Sequence, residues 1–143
     1  MLFFHPAIFF NQADFVKSFL NLIYTVLNAG EYVFYMLDSS TQLAELTPLG
    51  FFREQEGTTV ILPRADADKA GLSYAGTFAW ITLTVHSSLE AVGLTAAFSR
   101  ALTEAGISCN VVAAFYHDHL FVPVADAERA LAALRTLSEQ AGL

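Results

Sequence analysis

The apolar positions of this 143-residue chain change period several times, and each change marks an element. Phe15, Phe19, Leu22, Ile23, Val26 and Leu27 recur at helical spacing, which predicts a helix over Asp14–Leu27. Asn11 or Asp14 is placed to cap its start, and Gly30 stands where a left-handed C-terminal cap is expected. Tyr32–Leu37 is an unbroken apolar run, short enough for a strand buried on both faces, and Ser39-Ser40-Thr41 ends it. Phe51–Glu54 and Thr58–Leu62 read as a hairpin joined by Gln55-Glu56-Gly57. A helical turn at Asp66–Ala70 closes on Gly71. Thr77–Val85 alternates, with Ala79, Ile81, Leu83 and Val85 on one face and Thr82 and Thr84 on the other, the pattern of a half-buried strand. Ser87, with Glu90 three residues on, forms a capping box that opens a helix reaching about Ala105 and stopping at Gly106. Ile107–Tyr116 and Leu120–Val124 make a second hairpin around His117-Asp118-His119. A final helix takes Asp126 as its cap and carries Ala127, Ala130, Leu131, Leu134 and Leu137 on one face.

Across these elements runs an internal repeat. Pro63-Arg64-Ala65-Asp66-Ala67-Asp68-Lys69-Ala70 returns 60 residues later as Pro123-Val124-Ala125-Asp126-Ala127-Glu128-Arg129-Ala130, with five of eight positions identical. Both copies follow a hairpin and open a helix at the Asp. The chain therefore reads as two units, 1–72 with its leading helix and 73–143 as strand, helix, strand, strand, helix. Between Asp38 and Phe51 there is too little chain for a full crossover helix, so the leading helix is placed to cover the sheet face left bare. A chance match between two Ala-rich helix starts is the alternative.

Composition narrows the function. Hydrophobic residues are 55% and charged residues only 15%, so the core is amply supplied while the surface is sparsely covered. That shortage predicts apolar surface buried against another copy, a homo-oligomer such as a dimer. Seven basic residues stand against 14 acidic ones, for a net charge of −7, and no Lys/Arg cluster exists to neutralise phosphates, which excludes nucleic acid. Cys109 alone forms neither an internal disulfide nor a paired-Cys zinc site, and a reducing, cytoplasmic setting is the default. Met1–Phe10 is apolar without a cationic lead or a small-residue cleavage site, and no apolar run reaches the ~18 residues of a membrane span.

Reactive chemistry is sparse. His86, His117 and His119, with Asp118, invite a metal, but the latter His pair lies at a hairpin tip where strand alternation breaks, and His86 ends another strand. They read as surface polar residues, and no metal or other cofactor is expected. Ser87 beside His86 is no nucleophile–base pair, because neighbouring strand residues point to opposite faces. Cys109, inside a strand, reads as buried and inert. No enzymatic activity is expected.

The order strand–helix–strand–strand–helix is that of ferredoxin-like plaits. Ile81–Ala96, Ala105–Val112 and Ala114–Pro123 resemble the small bacterial tandem ACT-domain proteins, related to aspartate kinase regulatory domains and to cytosolic arginine sensors. Val85-His86-Ser87-Ser88-Leu89-Glu90-Ala91-Val92-Gly93-Leu94 is the specific stretch, and Gly30–Phe34 with Phe52–Val60 is similar to that family's N-terminal unit. The resemblance covers Asp14–Leu137. It implies an α+β fold of two ACT-like βαββα units, their antiparallel sheets packed by helices and the halves set sheet to sheet. It also implies a small-molecule-binding regulatory protein, its ligand an amino acid held in the loop between first strand and first helix, near a partner ACT unit. Here that loop is His86–Thr95, where Val92-Gly93-Leu94 replaces the Pro- and Gly-containing turn of many ACT domains.

The residues of that loop suit the expectation. Free N–H groups near Ser87 and Ser88 attract an α-carboxylate, Gly93 allows close approach of a ligand, and Glu90 can meet an α-ammonium. His86, Val92 and Leu94 complete the wall, and Asn110, opening a strand beside the loop, either hydrogen-bonds the ligand or satisfies a strand end. The other reading is that Ser87 and Glu90 only cap a helix and Gly93 only permits packing. The protein is then a dimerisation or scaffold module whose vestigial site is filled by Leu89, Val92 and Leu94.

Overall fold

Alternation along Phe78–Thr84 puts Ala79, Ile81 and Leu83 under cover and leaves Phe78, Trp80, Thr82 and Thr84 half-buried on the other face. This strand, β5, organises the fold of the computed structural model, which describes residues 23–38, 40–84 and 92–141. Before it come β1 (Tyr24–Leu27), β2 (Tyr32–Leu37), α1 (Ser40–Leu43), β3 (Gly50–Arg53), β4 (Thr58–Pro63) and α2 (Arg64–Lys69). After it come α3 (Leu94–Glu104), β6 (Asn110–Ala113), β7 (Asp118–Pro123), a 3-10 turn (Val124–Asp126) and α4 (Ala127–Ala141). The strands form one antiparallel sheet in the order β3-β4-β2-β5-β7-β6, with β1 also paired to β5.

The repeat is a structural one. The hairpin β3–β4 and its counterpart β6–β7 stand 60 residues apart, strand for strand, and β4 and β7 share one burial pattern. Each hairpin ends in a proline whose fixed φ leads straight into a helical turn. Asp66 and Asp126 therefore sit in the first turns, where the helix dipole favours a carboxylate, and the helical segments begin two residues earlier than expected. The halves join where Tyr32 of β2 pairs with Phe78 of β5. On either side of that junction, Arg64 N–H donates to the Glu31 carbonyl at 2.8 Å and Val124 N–H to the Thr77 carbonyl at 3.2 Å.

Three apolar clusters hold the sheet. In the second half Ala79, Ile81, Leu83, Leu120 and Val122 meet Leu94, Phe98 and Leu102 of α3 and Ala130, Leu131 and Leu134 of α4. In the first half Val33, Leu37, Val60, Leu62 and Ala67 are covered by half-buried Leu43, Leu46, Leu72 and Tyr74. The third cluster lies on the face that carries no helix among the described residues, where Tyr32, Ile61 and Phe121 pack with Phe34, Phe78 and Trp80. The sheet curls so that these faces of the two halves meet: the Phe34 ring lies 5.4 Å from that of Phe121 and 5.3 Å from that of Phe78, both edge-to-face. The halves are thus one continuous curled sheet rather than two sheets stacked on each other.

Two expected helices differ. Residues 24–27 of the expected helix Asp14–Leu27 are strand β1, and 14–22 lie outside the described residues. Tyr24 and Val26 are exposed at 70% and 50% while Ile23 is buried, a period of two that a helix does not give. Tyr, Thr and Val favour strands, and β5 offers an edge beyond its contact with β2. Gly30, with φ 89°, accordingly serves the turn between β1 and β2. The helix expected from Ser87 begins only at Leu94, behind Gly93. Asp118 and His119, expected in the second hairpin's turn, are the first residues of β7; the turn is closed by Ala114 N–H to the His117 carbonyl at 3.0 Å.

Candidate functional site

Strand β5 ends at Thr84, and the chain next described is Val92-Gly93 at the head of α3. His86, Ser87, Ser88 and Glu90, and with them the capping box, lie outside the described residues. Gly93 adopts φ 97°, a left-handed conformation that glycine takes at little cost, and its carbonyl accepts the Ala97 N–H at 3.0 Å. Among the described residues no side chain caps the helix there. The N–H groups of its first turn have no partners within the helix, and the positive end of its dipole faces the same way, an arrangement suited to an anionic group. Val92 is 62% exposed, whereas Leu94 is 5% exposed and packed in the second-half core.

Asn110 falls elsewhere. It pairs with Phe121, while the end of β5 that leads into the loop is level with Asp118 and Ala113. It opens β6 at the strand end remote from the loop, because β6 runs toward the loop and starts far from it.

The helix-free face holds a polar chain that the sequence did not reveal. Trp80 Nε1–H donates to His119 Nδ1 at 3.0 Å, with Thr82 Oγ1 3.2 Å from the same nitrogen. Asn28 Nδ2–H donates to Thr82 Oγ1 at 2.9 Å and to the Trp80 carbonyl at 3.2 Å. An indole N–H only donates, so Nδ1 must accept, and the neutral His119 ring carries its proton on Nε2. Burial, with His117 nearby, holds the His119 pKa below the ordinary histidine value, and Asp118 opposes this weakly. Burial also raises the Asp118 carboxyl. His119 lies across from Thr82 in the β5–β7 register, yet nothing in a single strand's periodicity announces that pairing. His117 and His119 have ring centroids 6.4 Å apart, and no cluster of three metal-ligating side chains occurs among the described residues. Cys109 is half-buried, which pushes its thiol pKa up to about 11.

The comparisons with known proteins follow the two halves. Residues 16–79 and 77–136 each match a model of the ACT domain. A Vibrio cholerae protein of unknown function, described as a possible transport protein, is 43% identical, covers 90% of this chain and 99% of its own, and superposes with a TM-score of 0.82. The chain is a tandem ACT-domain protein. The ligand-free regulatory subunit of aspartate kinase from Thermus thermophilus shares the fold at 12% identity, with a TM-score of 0.61 over 79% of this chain and 95% of its own. An Agrobacterium tumefaciens protein does so at 18% identity and a TM-score of 0.59, covering 81% and 89%. No curated protein matches the sequence significantly. Membership among tandem ACT proteins supports a ligand-binding regulatory role. Among the described residues no helix is long and apolar enough to cross a membrane.

Proposed function

We propose that this tandem ACT protein is a non-catalytic regulatory module of the cytoplasm that binds an amino acid and reports it through association with a second copy. The observation that carries the reading is the head of α3. Gly93, at the N-cap, has no side chain of its own to cover the first-turn N–H groups, and no other described residue caps them. An α-carboxylate fits those groups, with Ser87 and Ser88 as further donors and Glu90 for the α-ammonium. A vestigial site would have Leu89, Val92 and Leu94 filling the loop at an interface with no cavity left. Leu89 lies outside the described residues, and the solvent exposure of Val92 supports a working site. The units 1–72 and 73–143 then act together, and exposed Tyr24, Val26 and Phe52 on the helix-free face supply apolar area for a dimer.

A thermal-shift screen against the twenty amino acids tests this. A ligand at one hundred times its Kd stabilises the fold by about 2.7 kcal/mol. Gly93→Asn tolerates the left-handed backbone and places its own oxygen on the first-turn N–H groups, so it should abolish the hit while leaving the protein folded. A folded protein that responds to no amino acid overturns the proposal.

A further inference from the structure

The curl of the sheet brings its two outermost strands to one cleft. Leu49 and Gly50, at the start of β3, face Val112 and Ala114, at the end of β6, across a cavity of about 280 Å³ floored by Ile61, Trp80 and Phe121. We propose that this cleft is a second binding site, distinct from the loop after β5, for a small neutral molecule with an apolar body and one hydrogen-bond acceptor.

Size comes first. Ligand pockets commonly span about 300–1,000 Å³, so this cleft suits a single ring or a short branched chain. Its lining is otherwise apolar, and His119 supplies the directional donor. Trp80 N–H occupies Nδ1, and Asn28 orients Thr82 beside it, so the ring carries its proton on Nε2, which has no hydrogen-bond partner among the described residues. The ligand must therefore accept. An anion gains little here, because the donor is an uncharged imidazole with Asp118 next to it on a protein of net charge −7.

The repeat supplies the second argument. By strand register, Trp80, Thr82 and His119 correspond to Phe34, Met36 and Thr59 of the first half. Phe34 packs edge-to-face with Phe78 and Phe121 without any such polar chain, so sheet cohesion does not call for one. The first half holds the same frame with apolar Phe34 and Met36, and its Thr59 hydroxyl turns to Glu54 instead. The Asn28–Thr82–His119–Trp80 chain is an addition at the β5–β7 pair, and two of its members, Trp80 and His119, line the cavity.

Cyclohexanone and methylenecyclohexane, equal in shape and differing in the acceptor, test the proposal on the full chain. Trp80 is the protein's only tryptophan, and its fluorescence reads the cleft directly. Cyclohexanone should change it saturably and shift the Nε2 resonance of His119. His119→Phe should weaken cyclohexanone about tenfold, the worth of one hydrogen bond, and leave methylenecyclohexane unchanged. Val112→Phe, which fills the cleft from an exposed edge strand, should abolish both. A non-saturating fluorescence change, an unmoved His119 resonance, or equal losses for both probes in His119→Phe overturns the proposal. Because neither probe is an amino acid, failure here leaves the reading of the β5 loop standing, and the converse holds.

Discussion

The two halves have the same hairpins, the same prolines and the same junction contacts, yet they are covered differently. In the second half the crossover from β5 to β6 contains α3, eleven residues long, whose Phe98 and Leu102 are fully buried. In the first half the crossover from β2 to β3 has room only for the four-residue α1, and half-buried Leu43 and Leu46 do that covering. Shallow cavities of about 340 and 200 Å³ open beside Glu45, Leu46 and Ala70 as a result. β1 joins the well-covered half, with Ile23 in its core, although it precedes β2 in the chain. A repeated frame therefore fixes strand register, while the length of the crossover decides how deeply each half is buried.

The largest effect that tests this contrast is Phe98→Ala, which should cost about 3–5 kcal/mol in denaturant unfolding. Leu43→Ala, at the matching cover of the first half, should cost only about 1 kcal/mol. Equal losses would break the comparison. Ile23→Ala should cost about 2–4 kcal/mol, since a buried isoleucine is truncated. Hydrogen exchange should then quicken at Ile81 and Leu83 and not at Val33 and Leu62, sharpening the assignment of β1 to the second half.

A smaller effect follows from His119, which has no counterpart in the first half. Its folded pKa lies below 6.5, so the unfolded chain binds the extra proton and stability falls as pH drops below 6.5. Asp118 acts oppositely: its raised pKa makes stability fall as pH rises from 3.8 through the folded value. His119→Phe should flatten the upper limb of the Tm–pH profile and spare the lower. Smallest is the reactivity of Cys109: with its pKa near 11, alkylation at pH 8 should run well below the rate of free cysteine in a stopped thiol assay.

Much of this frame was legible from residue patterns. β2, β5 and both hairpins announce themselves because an unbroken apolar run, an apolar alternation and turn residues are local signals. β1 did not, because over the five residues 23–27 Ile23, Val26 and Leu27 satisfy helical spacing as well as any strand pattern, and its partner lies far along the chain. The head of α3 was misplaced for a related reason: Ser87 and Glu90 fit a capping box, but Gly93 resets the backbone after them. Of the residues expected at the site, Gly93 stands at the head of α3, Leu94 is buried and Asn110 opens β6 at its far end. The Trp80–His119 bond joins residues 39 apart in sequence, and only the register of β5 and β7 brings them together.

Pairing of Tyr24 with Thr84 has a consequence in time. During synthesis β1 leaves the ribosome with no strand to join, while β2, β3 and β4 assemble as soon as they are made. It waits for β5, and its core for Leu134 in α4. Loop closures of that span are slow, so the refolding rate should be set by docking of β1, and a nascent chain arrested before β5 should expose it to chaperones.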